Sequence, residues 1–107
     1  MVANFPKTKV ADHQPSANTA AVAALAAVPG QFLFGLMAHW SYSGAPTGGK
    51  LTISTNSVVI SEVDITAAGP GFLDLTGFNS QKGYDLTATL AAGGSGVSGK
   101  VSISAGF

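Results

Sequence analysis

The chain has 107 residues, a formal net charge of zero and no cysteine; charged side chains make up 9% and hydrophobic ones 46%. That length fits one domain and leaves no room for two. The composition excludes a disulfide framework, a thiolate metal site, the basic footprint of a nucleic-acid binder, and disorder over most of the chain.

A mean hydropathy of +0.35 with so few charges describes a weakly self-repelling surface. Much of that surface is expected to be covered in the working state.

Residues 1–18 are polar, contain Pro6 and Pro15, and show neither a strand nor a helix period. They read as an extended N-terminal arm laid over a neighbouring subunit, able to reach roughly 60 Å when stretched. Residues 19–28, TAAVAALAAV, are ambiguous between helix and strand. The run is short for a helix and ends at Pro29-Gly30, so a strand turning into the next one as a hairpin is favoured.

Residues 31–43, QFLFGLMAHWSYS, are the longest strand-like run and hold the only Trp. At period two, Phe32, Phe34, Leu36, Ala38, Trp40 and Tyr42 share one face, which is the expected core face. Leu33, Gly35, Met37, His39, Ser41 and Ser43 share the other, which is expected to meet a second layer or another subunit.

From there the punctuation is regular. GAPTGG (44–49) is a loop, and residues 50–55 alternate with Leu51 and Ile53 inward. Asn56-Ser57 is a tight turn before residues 58–65. AAGPG (67–71) is a corner, 72–75 a short apolar strand, and 76–83 a polar connection. Residues 84–90 alternate, with Leu86, Ala88 and Leu90 on one face. AAGGSGVSG (91–99) is a glycine-rich turn, and 100–104 closes the chain with Val101 and Ile103 inward. Turns every eight to twelve residues between short Thr- and Val-rich runs are the pattern of an all-β sandwich or barrel.

Residues 20–38 are almost all apolar, but Pro29, Gly30 and Gln31 interrupt them, so no clean membrane span survives. Residues 20–28 resemble a signal-peptide core, yet Asp12, His13, Gln14 and Pro15 make a poor preceding region.

Chemistry is hard to assemble. Glu62 and Asp64 point the same way on one strand; a solvated strand face explains them better than a Ca²⁺ site or an acid–base pair. His39 could be joined on paper to Ser41 or Ser43 and an Asp, but no nucleophile elbow is present, and a structural or interface role fits better. Two distant histidines do not make a metal site. Gly93–Lys100 is one residue longer than a P-loop and leads into a strand rather than a helix. Trp40, Tyr42 and Tyr84 could form a sugar platform, although Trp40 and Tyr42 share the core face. No catalytic residue, cofactor or metal ligand is assigned, and an enzyme is not expected.

WSYSGAPTGG (40–49), VDITAAGPGF (63–72) and LTATLAAGGSGVSGK (86–100), with NTAAV at 18–22, resemble a family of small virion proteins encoded in tailed bacteriophages and prophages. The resemblance covers about residues 18–104. One departure is QFLF at 31–34, where that family has a more polar start. The resemblance implies a structural protein, with no catalytic residues to transfer.

Together these readings predict an antiparallel, jelly-roll-like β-sandwich of seven or eight short strands over residues 19–107, preceded by the extended N-terminal arm of residues 1–18. The expected function is a bacteriophage capsid-decorating protein, made in the host cytoplasm and bound to the capsid surface as a homo-oligomer, a trimer for preference. Its expected partner is the major capsid protein or another virion protein, with no nucleic acid and no membrane. The candidate interface is Phe5, Lys7, Lys9 and Val10 from the arm, with Leu33, Met37 and His39 from the long strand. A tail, collar or fibre component and a carbohydrate-binding host-attachment module are the alternatives.

Overall fold

A computed structural model describes residues 7–107. Among these residues there are eight strands: β1 Thr8–His13, β2 Ala21–Leu25, β3 Phe34–Tyr42, β4 Gly49–Thr55, β5 Val58–Ile65, β6 Gly69–Asp74, β7 Leu86–Leu90 and β8 Gly99–Gly106. They form two four-stranded antiparallel sheets, in the orders β1-β8-β3-β6 and β2-β7-β4-β5. The pairs β4–β5, β3–β6, β2–β7 and β1–β8 are nested, as if one long hairpin were folded across itself. This is the jelly-roll form of the β-sandwich.

Alternation places the core. Leu51, Ile53, Leu86, Leu90, Val101 and Ile103 point between the sheets and are fully buried. Tyr42 joins them, and its phenol donates to the Ala91 carbonyl at 2.6 Å. Burial raises the Tyr42 pKa, and a backbone hydrogen bond at Lys50 partly offsets the rise. The β4–β5 turn is made by Asn56 and Ser57 at φ 49° and 61°, the left-handed pair a two-residue hairpin requires.

Three expectations are corrected. First, Pro29-Gly30 does turn the chain, with Gln31 N donating to Val28 O at 3.0 Å, but it joins two sheets rather than a hairpin. Strand β2 pairs with β7, because both edges of β3 are taken by β6 and β8. Second, within the stretch read as an arm, Thr8–His13 is an edge strand paired with β8 of its own sandwich. Residues 1–6, and with them Phe5, lie outside the described residues.

Third, the long strand does not keep one period. Its register against β8 shifts between Gly35 and Met37, so a β-bulge inserts one residue. Beyond the bulge Ala38 and Tyr42 face inward as expected; before it the inward residues are Leu33 and Gly35, while Phe32 and Phe34 are exposed. The loop after β6 holds the switch in place. Gly35 N donates to Phe78 O (3.0 Å), Leu75 N to Leu36 O (3.1 Å) and Ser80 N to Leu33 O (2.8 Å). A Cβ on Gly35 would lie 2.5 Å from Phe78 O, so only glycine allows this approach.

Candidate docking face

The bulge determines what the outer face of the first sheet carries. Cross-strand registers give its rows directly. Thr8, Gly106 and Phe34 form one row. Val10, Ser104, Met37 and Asp74 form the next. Asp12, Ser102, His39 and Phe72 follow, and Lys100, Ser41 and Pro70 end the face.

Down the middle, β8 contributes only small side chains apart from Lys100. Large apolar groups stand on the strands to either side of it. Val10 is 69% exposed on one side and Phe72 72% on the other, with Met37, Phe34 and Phe32 between them and the end of the sheet. The Phe32 and Phe34 rings lie 6.1 Å apart at 41°. Exposed apolar groups gathered on one face of a charge-poor chain make that face the candidate contact surface.

Charges on the face sit at its margins. Asp74, on edge strand β6, accepts from the Thr76 hydroxyl (2.7 Å) and amide (2.9 Å). Those bonds, the hydroxyl's first, hold its carboxyl below the usual carboxylate range. It is therefore ionised at neutral pH, flanking the apolar stripe rather than interrupting it.

The second sheet differs. Thr52, Ser54, Thr87 and Thr89 cover the middle of its outer face, and exposed Val22, Val58 and Val59 lie on its two edge strands. Glu62 and Asp64 project side by side into solvent there, as a solvated strand face would. Lys50 pairs with Glu62 at 3.6 Å. Among the described residues no cluster of three His, Cys, Asp or Glu could hold a metal ion, and no helix is long and apolar enough to cross a membrane.

Of the candidate interface residues, Val10, Met37 and His39 come together on the outer face of the first sheet. Leu33 is corrected: it is fully buried, because the bulge reverses the strand upstream of Leu36. Lys9 faces the other way from Val10. Its ammonium donates to Ala26 O at 3.1 Å and lies 5.8 Å from the Phe107 ring centroid. Lys7 pairs through its backbone with Phe107 and lines an open groove of about 280 Å³ with Val28, Gln31 and Phe107.

Alternation alone does not reveal Phe32, Phe34 and Phe72 as surface groups. One signal was present: a glycine inside an apolar strand often marks a bulge. Trp40 is half-buried, its indole packed on Gly71, and Tyr42 is in the core.

No family model and no curated protein matches the chain. Solved structures match it in fold. One is a carbohydrate-binding module, CBM36, in complex with calcium and xylotriose, at 14% identity and TM-score 0.54 over 92% of this chain and 97% of that one. A second is the CBM36-1 domain of a multidomain xylanase from the hindgut metagenome of Trinervitermes trinervoides, at 7% identity and TM-score 0.53 over 94% and 98%. A third belongs to the acidic stable capsid structure of Helicobacter pylori bacteriophage KHP30, at 10% identity and TM-score 0.51 over 97% and 90%. At such identities the likeness is one of fold.

Proposed function

We propose that the chain is a structural component of a tailed-bacteriophage virion, a capsid-decorating protein that binds the shell as a closed oligomer, preferably a trimer. The observation that carries this reading is the set of large apolar side chains exposed on the outer face of the first sheet, Val10, Met37, Phe34 and Phe72, on a chain with 9% charged residues. Burying such a face against a neighbour removes apolar surface from water at roughly 25 cal/mol per Å². The mechanism is mechanical: contacts spread over many copies oppose shell opening, and a closed oligomer uses up surface that would otherwise aggregate.

Two further points support it. The motifs at 40–49, 63–72 and 86–100 resemble those of small phage virion proteins. A capsid structure also contains a chain of the same fold, and each chain covers the other almost end to end. The test is reconstitution. Purified chain added to shells lacking it should co-sediment at saturation and raise their disruption temperature. Shells that neither retain the chain nor gain heat resistance would count against the reading, and a handful of copies per particle would move it to a tail, collar or fibre.

One observation favours a second reading, a carbohydrate-binding host-attachment module. Tyr84 is 44% exposed, next to Asp85 and with its amide bonded to Gln81 O. A glycan array on which Tyr84→Ala abolishes a wild-type signal would establish it, and a blank array would remove it.

A further inference from the structure

Strand β2 lies at the edge of the second sheet, so amides on its outer side have no strand partner. One of them is satisfied from the other sheet: Val22 N donates to His13 Nδ1 at 3.0 Å. His13 is the last residue of β1, the edge strand of the first sheet. A second bond, from Lys9 Nζ to Ala26 O, joins β1 to the chain just after β2. The two sheets are thus fastened along one side of the sandwich by two side chains of β1.

These two fastenings respond differently to acid. A backbone N–H can only donate, so the ring nitrogen facing it must carry a lone pair. Imidazolium has none, since both of its nitrogens are donors. The Lys9 bond has no such dependence, because the ammonium already carries its protons.

We propose that His13 is a proton-sensitive clasp between the two sheets: binding a proton breaks its bond to Val22 and loosens the C-terminal end of β1 from β2. Few charges compete at this corner. Asp12 faces the outer side of the first sheet, in a row with Ser102 and His39. Lys100 of β8 shares that outer face, in register with Ser41. Strand β2, AVAAL, carries no titratable group, and directly opposite His13 on β8 is Val101. Ser16 and Thr19, in the connection between β1 and β2, hydrogen-bond to each other. The clasp stands apart from the virion reading and does not depend on it.

Amide exchange in the ¹⁵N-labelled full chain tests it, at about pH 7.5 and about pH 5, either side of the ordinary histidine range. The readout is the protection of Val22 divided by that of Ala23, whose amide points the opposite way, toward β7. The ratio should fall roughly three- to ten-fold in acid. In His13→Asn, whose carbonyl accepts but does not titrate, the ratio should not change with pH. Ring ¹⁵N shifts of the wild type should show Nδ1 as the unprotonated nitrogen near neutrality. A wild-type ratio indifferent to pH, an equal fall in His13→Asn, or a protonated Nδ1 at neutral pH would each overturn the proposal.

Discussion

Replacing Phe72 with serine should separate docking from folding. The side chain stands on edge strand β6 and is 72% exposed. A phenylalanine buries on the order of 200 Å² when fully covered, so about 140 Å² remains available to a partner. At roughly 25 cal/mol per Å², covering it contributes up to about 3.5 kcal/mol. Docking that covers most of the ring should therefore lose about 2–3 kcal/mol in Phe72→Ser, a weakening of roughly 30- to 150-fold. Stability should move by less than about 1 kcal/mol, since few contacts in the folded chain are lost and only the strand preference changes. The assay is titration of labelled chain onto particles lacking it, beside calorimetric melting of the same samples. Unchanged affinity in Phe72→Ser would refute the assignment of this face. A comparable loss of folding stability would show that the ring belongs to the core rather than to a contact surface.

Other substitutions probe the frame that presents the face. Gly35→Ala should destabilise by about 2–3 kcal/mol, because the added methyl meets the Leu75 and Phe78 carbonyl oxygens at 2.8 and 2.5 Å; a melting temperature near that of the wild type would argue against the anchored bulge. Tyr42→Phe loses the 2.6 Å bond to Ala91 O and should cost about 1–2 kcal/mol in denaturant unfolding. The folded Tyr42 pKa is raised, so its contribution is fully present below the unfolded value of about 10 and is lost as pH rises through the folded value. Alkaline melts should therefore fall less steeply in Tyr42→Phe, and parallel curves would refute this. Deleting residues 1–13 removes β1 and bares the edge of β8, so it should lower the melting temperature and raise self-association by light scattering. An unchanged melting temperature and scattering mass would show that β1 is dispensable.

Much of the sandwich is legible in the chain where a strand keeps one period and one buried face. Leu51 and Ile53, Leu86, Ala88 and Leu90, and Val101 and Ile103 alternate as the folded structure has them. Among the described residues, Asn56-Ser57 marks the one turn that closes a local hairpin. What escaped has a common cause, namely that the deciding contacts are distant in sequence. The bulge in β3 depends on hydrogen bonds with the backbone of Leu75, Phe78 and Ser80, far along the chain, and alternation alone cannot reveal a residue that is counted twice. Nested pairing of β1 with β8 and β2 with β7 leaves no local trace either, so Pro29-Gly30 reads as a hairpin turn although it crosses between sheets. Strand β1 is bonded on one side only, and its TKVADH sequence is too polar to declare itself. The candidate docking face is half visible in the sequence: Val10, Met37 and His39 stand out there, but Phe34 and Phe72 emerge only once the register is known.

Copy number in purified particles is the most direct measure of whether this chain decorates a shell. Quantitative mass spectrometry against the major shell protein should find it in a fixed, near-stoichiometric ratio, hundreds of copies per particle. Its absence from particles, or a count of only a few, would contradict the account.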